Sequence, residues 1–105
     1  MDYRPILQTQ ETDELYEAML CLTSVEECYR FFEDLCTVNE IEAMAQRLHV
    51  AKLLKAGVTY HEIVEKTGVS TATISRINRC LRYGASGYNA ILARVGEQSA
   101  GEEDV

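Results

Sequence analysis

The stretch from Thr59 to Tyr83, TYHEIVEKTGVSTATISRINRCLRY, constrains the fold more than any other part of the chain. Thr59 and Glu62 match the Thr-x-x-Glu capping box, which predicts a helix that begins directly after Thr59. Gly68 can adopt the left-handed backbone conformation that commonly ends a helix. Ser70 is a favourable N-cap for a second helix. The sequence therefore predicts two short helices joined by a tight turn.

The second of these helices has two different faces. Ile74, Ile77 and Leu81 recur at spacings of three and four residues, so we expect them to point inward together. The remaining positions carry short polar or small side chains and arginines, namely Thr71, Ala72, Ser75, Arg76 and Arg79. This layout is typical of a helix-turn-helix, here over residues 60–82, whose second helix offers small donors and arginines to the major groove of DNA.

The net charge of −7 argues against binding to DNA, but its distribution reverses that conclusion. Residues 1–46 carry 2 basic and 11 acidic groups, residues 47–83 carry 7 basic and 2 acidic, and residues 84–105 carry 1 basic and 4 acidic. Charges separated by more than about 8 Å are largely screened at physiological salt, so a polyanion at the middle segment would experience mostly its local excess of basic groups. The alternative is that basic and acidic faces pair within the fold.

Local signals predict an all-α protein. Ser24 with Glu27 and Thr37 with Glu40 repeat the capping-box pattern in front of apolar runs. We expect helices over residues 12–22, from Ser24 to about residue 36, from Thr37 to about residue 55, across the helix-turn-helix, and over residues 88–95. The inner face of the third helix should carry Ile41, Met44, Ala45, Leu48, Ala51 and Leu54. A chain of 105 residues suits one domain. The predicted organisation is an N-terminal arm (1–11), a single helical domain (12–95) and an acidic flexible tail (96–105).

The four cysteines, Cys21, Cys28, Cys36 and Cys80, form no Cys-x-x-Cys pair. Structural zinc sites usually need closer pairing and a histidine partner, so we expect small buried hydrophobic residues instead of metal ligands. Their presence as free thiols fits a reducing compartment.

Other function classes find little support in the sequence. No apolar run is long enough to span a bilayer, and the first residues do not resemble a signal peptide, which predicts a cytoplasmic protein with no membrane partner. His49 and His61 have no evident nucleophile or orienting acid, and no phosphate-binding loop or metalloprotease motif is present. We therefore expect neither an enzyme nor a cofactor.

From Thr37 to Tyr83 the chain resembles the Trp repressor superfamily. The segments AQRLHVAKLLKAGVTYHEI and TGVSTATISRINRCLRYG are similar to its YerC/YecD branch, and the likeness extends over about residues 12–95. The resemblance implies a six-helix all-α fold, an interlocked homodimer built by the N-terminal helices, and a transcription regulator that binds double-stranded DNA, typically as a repressor. Large apolar side chains in the first two helices also indicate burial against a second copy. These are Tyr16, Tyr29, Phe31 and Phe32. The alternative is an intramolecular core.

In this family the recognition helix and the helix before it contact the operator. The resemblance places His61, Thr71, Ala72, Thr73 and Ser75 at DNA-facing positions and Arg82 at a phosphate-contacting position. Ser70, Arg76 and Arg79 complete the candidate set, with the two arginines acting either as phosphate contacts or as internal ion pairs. The repressor has arginine where this chain has His61. A neutral imidazole reads a base more weakly than a guanidinium, so operator preference should differ.

The resemblance also implies a ligand pocket between the central helix and the recognition helix. Arg47 and Arg76 match the two arginines that sandwich the tryptophan of the repressor, and Thr37 matches a backbone contact near its amine. Ile77 replaces a glycine and Cys80 replaces a serine, so we expect Ile77 to occupy space that the indole approaches. The prediction is a regulator without tryptophan as corepressor, while a different small-molecule effector stays open.

A second function class competes with this interpretation. A protein-interaction module could keep the fold and lose DNA binding, as the net charge of −7, the acidic tail and His61 would allow. Recovery of a specific operator from random DNA would distinguish the two hypotheses.

Overall fold

The computed structural model describes residues 3–103, with side chains described as far as residue 96. This part of the chain is all α-helical and has no strand. Its six helices are α1 (Gln10–Met19), α2 (Val25–Leu35), α3 (Val38–Lys55), α4 (Tyr60–Thr67), α5 (Thr71–Tyr83) and α6 (Gly87–Glu103). The all-α prediction is confirmed. None of the helices within the described range is long and apolar enough to cross a membrane.

The predicted capping boxes begin α2 and α3. The Ser24 hydroxyl accepts a hydrogen bond from the Glu27 N–H at 3.1 Å. Thr37 and Glu40 form a reciprocal box, in which the Glu40 N–H donates to the Thr37 hydroxyl at 3.1 Å and the Thr37 N–H donates to the Glu40 carboxylate at 2.8 Å. The Glu27 carboxylate instead accepts from the N–H and the hydroxyl of Thr23, at 2.7 and 2.8 Å. Side chains therefore satisfy N–H groups at the starts of both helices.

Two helix boundaries differ from the prediction. α1 begins at Gln10 because Thr9 and Thr12 form a capping box that the Thr-x-x-Glu pattern does not detect, and α1 ends at Met19. α6 continues past the predicted end at Val95 as far as Glu103, because Gly96 does not adopt the left-handed conformation that ends a helix. Residues 1–2 of the predicted arm and 104–105 of the predicted tail lie outside the described residues.

The described chain divides into two compact units, one ending at Ile41 and one beginning at Glu42, with α3 contributing to both. The expected single domain over residues 12–95 stays a prediction. In the first unit, neither α1 nor α2 contains a buried residue. Phe31 and Phe32 are half-buried, and their rings meet edge to face with centroids 5.3 Å apart.

The second unit contains the hydrophobic core. Its buried members come from α3, α4, the turn and α5, and they are Val50, Ala51, Ile63, Val69, Ile74 and Ile77. The predicted inward orientation of Ile74 and Ile77 is confirmed, and Leu81 is partly buried against them. Leu92 of α6 also packs on this cluster. The core therefore fixes α4 and α5 against the end of α3.

Several apolar residues are less buried than predicted. Met44, Ala45 and Leu48 were expected on the inner face of α3 but are exposed. The prediction that the cysteines are buried is also wrong for this chain, since Cys21 and Cys80 are exposed and Cys28 and Cys36 are half-buried. These side chains lie outside the core cluster, and no other helix of the described chain buries them. No cluster of metal-binding side chains occurs among the described residues.

Candidate nucleic-acid interface and adjoining groove

The turn between α4 and α5 is fixed by local hydrogen bonds. Gly68 adopts a φ of 73°, and its N–H donates to the carbonyl of Val64 at 2.8 Å. The Thr67 hydroxyl donates to the carbonyl of Ile63 at 2.7 Å and accepts from the Val69 N–H at 3.2 Å. Because a left-handed glycine and a side-chain bridge define the turn, the direction in which α5 leaves α4 is set locally.

The first turn of α5 confirms the predicted N-cap. The Ser70 hydroxyl accepts from the Thr73 N–H at 3.2 Å and donates to the Thr73 hydroxyl oxygen at 3.1 Å. Thr73 is also half-buried. Two of the candidate DNA-facing residues therefore share hydrogen bonds with each other, and their first role is to start the helix.

The exposed face of α5 lies opposite the core. Ala72, Ser75, Arg79 and Arg82 are spaced by three, four and three residues, and all four are exposed. At about 3.6 residues per turn this spacing forms one continuous stripe along the helix. We call these four residues the α5 stripe. Thr71 is also exposed, at the start of the helix. The stripe places two arginines and a short hydroxyl side chain on one accessible surface.

The two arginines whose role the sequence left open are not in internal ion pairs. The salt bridges of the described part of the chain join Arg30 to Glu26 and His61 to Glu65. Arg76 and Arg79 are both exposed. Their guanidinium groups are therefore available to an external anion in the isolated chain.

His61 lies on α4, next to the start of that helix. Its side chain is 82% exposed, and its Nε2 atom lies 3.1 Å from Oε1 of Glu65, one turn further along. His61 was predicted as a candidate from the sequence, and Glu65 was not. The spacing of four residues could have indicated the pair, because residues four apart on a helix are neighbours.

A groove of about 440 Å³ lies beside the α5 stripe. It is lined by Ala43, Gln46, Arg47, Thr73, Arg76, Ile77, Cys80 and Tyr88. Four of the five predicted pocket residues, Arg47, Arg76, Ile77 and Cys80, are thus brought together. Ile77 is only 3% exposed because it packs into the core, so it forms part of the wall and leaves this volume open. The expectation that Ile77 hinders an indole in this groove stays a prediction.

The fifth predicted pocket residue, Thr37, belongs to the first unit, where its hydroxyl caps α3. Its predicted contact with a ligand stays a prediction. Ala43 and Gln46 also line the groove and were not predicted, although their spacings of four and one from Arg47 place them near it on α3. Tyr88 was not predicted either, since α6 supplies it and no local signal could connect it with α3 or α5.

A second, more apolar groove adjoins the first. It has a volume of about 460 Å³ and is lined by Leu48, Cys80, Gly84, Ala85, Gly87, Tyr88 and Ile91. Cys80 and Tyr88 contribute to both grooves. Cys80 is exposed because it faces these grooves and not the core.

Comparison with known proteins identifies the family. The model of the Trp repressor protein family matches residues 10–96. The uncharacterized protein YerC of Bacillus subtilis (strain 168) is 56% identical over 91 residues, which cover 87% of this chain and 88% of YerC. Two crystal structures superpose with a TM-score of 0.81 at 52% identity over 85% of this chain, covering 89% of a proposed Trp repressor from Staphylococcus aureus and 92% of a TrpR-like protein from Eubacterium eligens ATCC 27750. The chain therefore belongs to the Trp repressor family and is a YerC-type member with the Trp-repressor-like fold.

Proposed function

We propose that this protein is a sequence-specific DNA-binding transcription regulator that acts as a homodimer, most simply as a repressor. The observation that carries the proposal is the α5 stripe, an exposed row of Ala72, Ser75, Arg79 and Arg82 on a helix whose opposite face is buried. Membership of the Trp repressor family supports a regulator of this kind. A helix held rigidly on one side and polar on the other is suited to the major groove.

The α5 stripe can provide two kinds of contact to DNA, to base edges and to phosphates. Ser75 lies in the first half of α5, and the N-terminal residues of an inserted recognition helix contact base edges. Arg79 lies one turn further along and is placed for a phosphate. Arg82 lies at its end and is placed for a phosphate. Lys52 and Lys55, both exposed near the end of α3, provide further positive charge for the backbone of the DNA.

The apolar surface of the first unit supports a homodimer. Tyr16 on α1, Leu20 at its C-cap, and Val25 and Tyr29 on α2 are exposed, and neither helix buries a residue within the chain. Isolated monomers rarely expose so many large apolar side chains together. A two-fold dimer that covers them would present two α5 helices to successive major grooves, about 34–36 Å apart. We infer an interlocked arrangement from the same family resemblance.

The proposed regulator does not use tryptophan as its effector. The groove beside α5 has a branched side chain, Ile77, where the repressor has glycine, and this side chain forms part of the wall. Cys80 replaces a serine on the same wall, and a thiol is a weaker hydrogen-bond donor than a hydroxyl. Relative to the repressor, Ile77 narrows the space through which the planar indole ring would approach, and Cys80 removes a good hydrogen-bond partner. The open volume leaves room for an effector of different shape.

Selection from random duplex DNA tests the proposal. The purified protein should enrich a palindromic motif, and the Ser75→Ala/Arg79→Ala variant should lose it while keeping the same unfolding temperature as the wild type. Both residues are exposed, so their truncation leaves the core intact. Added tryptophan should leave the affinity for the selected DNA unchanged. Enhanced binding with tryptophan would contradict the effector part of the proposal alone.

The net charge of −7 favours one competing function, a protein-interaction module without DNA binding. That function predicts no enriched motif at low salt, where electrostatic binding to DNA is strongest. It also predicts that a stable protein complex survives the Ser75→Ala/Arg79→Ala change. An enriched motif that the variant loses would exclude it.

A further inference from the structure

We propose that the two adjoining grooves of the second unit form one binding site for an amphiphilic anion, a small molecule with a carboxylate or phosphate head and an apolar tail. The inference names the chemistry of an effector for the proposed regulator, and in that respect it rests on the proposed function. The binding step itself needs no DNA. Every residue that lines either groove belongs to the second unit.

The first groove is suited to the anionic head. Its volume of about 440 Å³ is in the range of small-molecule sites, and Arg47 of α3 and Arg76 of α5 both line it. Neither arginine pairs with a carboxylate in the described part of the chain, and no aspartate or glutamate lines the groove. Gln46, Thr73 and Tyr88 add amide and hydroxyl groups. An oxyanion in this groove therefore meets guanidinium groups from two helices, which form strong charge-assisted hydrogen bonds.

The second groove is suited to the apolar tail. It has a volume of about 460 Å³, its larger side chains are those of Leu48, Tyr88 and Ile91, and no charged side chain lines it. Cys80 and Tyr88 line both grooves, so the two volumes meet at these side chains. A tail attached to a head in the first groove therefore has an adjoining apolar volume to enter. Each methylene that leaves water there adds to the affinity.

The residues that line the two grooves favour an amphiphilic anion over other small molecules. An amino acid carries an ammonium group, and neither groove offers a carboxylate to pair with it. A small inorganic anion would leave the second groove unfilled, and an uncharged apolar molecule would leave the two guanidinium groups without a partner. A molecule that joins an oxyanion to an apolar chain matches both grooves.

Isothermal titration calorimetry with simple alkyl ligands tests this chemistry. Decanoate, below the concentration at which it forms micelles, should bind about tenfold or more tightly than acetate or 1-decanol. From hexanoate to decanoate the affinity should rise by about twofold or more per methylene, because full burial of one methylene gives about fourfold. Comparison of decanoate with decyl phosphate then assigns the preferred head. Equal affinities for decanoate and acetate, or for decanoate and 1-decanol, would overturn the proposal.

Arg47→Gln tests the head without changing a candidate DNA contact, whereas Arg76 belongs to that candidate set. Arg47 is exposed, so the variant should keep the unfolding temperature of the wild type. Its affinity for decanoate should fall by about tenfold, the effect of one lost hydrogen bond between charged groups. Arg94→Gln removes the same charge from an exposed position on α6 outside both grooves, and it should bind as the wild type does. Equal losses in the two variants would reduce the effect to net charge and overturn the site.

Alkylation of Cys80 locates the ligand. Cys80 is exposed where the grooves meet, and Cys21, exposed in the first unit, is the internal control. Saturating decanoate should slow the reaction of Cys80 with iodoacetamide several-fold and leave that of Cys21 unchanged, as measured by mass spectrometry of the peptides. If Cys80 already resists alkylation without ligand, a second copy of the chain covers this place, and the proposal is overturned.

These outcomes are independent of DNA binding. A protein that binds no decanoate and no decyl phosphate would overturn the proposed site and leave the DNA-binding function to the selection from random duplex DNA. A protein that binds decanoate at the two grooves but enriches no DNA motif would support the site and contradict the proposed function.

Discussion

The helices of the two units differ in how much apolar surface they bury within the chain. The second unit buries six hydrophobic residues in a core shared by α3, α4, the turn and α5, and α6 packs on it. The first unit has helices of comparable length, but α1 and α2 bury no residue, and Leu20 and Tyr29 are 86% and 64% exposed. The second unit therefore has a core of its own, whereas the first depends on local capping and on what covers it from outside.

This difference places the proposed DNA contacts in one unit and the proposed dimer contacts in the other. The candidate DNA-binding residues all lie in the second unit, on helices held by the core. Most helical stability in proteins comes from packing of an apolar face and not from propensity alone. Because the first unit lacks such packing within one chain, we expect its order to be coupled to dimer formation. The following changes break or sharpen this comparison, beginning with the largest effect.

Ile63→Ala should destabilise the second unit most. Ile63 is fully buried, and removal of its branched side chain leaves a cavity among the core residues of α3 and α5. We expect a loss of about 2–5 kcal/mol in the free energy of unfolding, measured by urea denaturation. Val25→Ala in the exposed face of α2 is the control at protein concentrations where the chain is monomeric, and it should change stability by no more than about 0.5 kcal/mol. Equal losses would remove the distinction between the units.

Tyr29→Ala should weaken the proposed dimer with little effect on an isolated monomer. Exposed tyrosines that become buried in an interface are frequent hot spots, with losses of about 2 kcal/mol or more on truncation. Sedimentation equilibrium should then show a dimer dissociation constant raised by about thirtyfold. Tyr83→Ala, which removes an exposed tyrosine from the second unit, is the matched control. An unchanged dissociation constant for Tyr29→Ala would exclude this face of α2 from the interface.

Arg79→Ala should lower the salt dependence of DNA binding if Arg79 contacts a phosphate. Each neutralised phosphate contributes about 0.9 to the slope of log affinity against log salt, so two copies of Arg79 should contribute about 1.8. Fluorescence anisotropy at several salt concentrations gives this slope. A variant that keeps the wild-type slope but loses sequence preference would instead assign Arg79 to base recognition.

Local signals predicted the helix-turn-helix well because its structure is determined locally. Thr59 and Ser70 cap α4 and α5 as expected, Gly68 has the expected left-handed backbone, and Ile74 and Ile77 are buried. The two caps and the left-handed turn depend on side chains within four residues, and the spacing of Ile74 and Ile77 indicates which side of α5 faces inward. The resemblance to the Trp repressor superfamily added Arg47 and Cys80, which meet in the groove although they are distant in sequence.

The failed predictions concern burial, which depends on distant contacts. A stripe of apolar residues shows which side of a helix avoids water, but it does not show whether the same chain or another copy covers that side. Met44 and Leu48 were expected on the inner face of α3 and are exposed in the isolated chain. The end of α6 was missed for a different reason, since glycine permits a helix to end without requiring it.

We expect acid to destabilise the first unit before the second, and Glu40 provides the test. Hydrogen bonding from the Thr37 N–H, with a smaller contribution from the Thr37 hydroxyl, lowers the pKa of Glu40 below its ordinary value of 4.5. A carboxyl whose pKa is lower in the folded state contributes stability that is complete above the unfolded-state pKa and is lost as pH falls through the folded-state pKa. Circular dichroism should therefore show α-helix loss below pH 4.5.

The Glu40→Gln variant should be slightly less stable than the wild type at pH 7, and the two should converge at acid pH because the wild-type carboxylate is then protonated. Glu42→Gln, a change of the adjacent exposed carboxylate on α3, is the matched control and should remain parallel to the wild type. The N-cap of α5 is a pair of hydroxyls, Ser70 and Thr73, which do not titrate in this range. If acid-induced helix loss persists in Glu40→Gln, the loss would be assigned to Glu27. Hydrogen bonds from the N–H and the hydroxyl of Thr23 also lower the pKa of Glu27. In either case the titrating caps belong to the first unit, which lacks a core of its own to compensate for their loss.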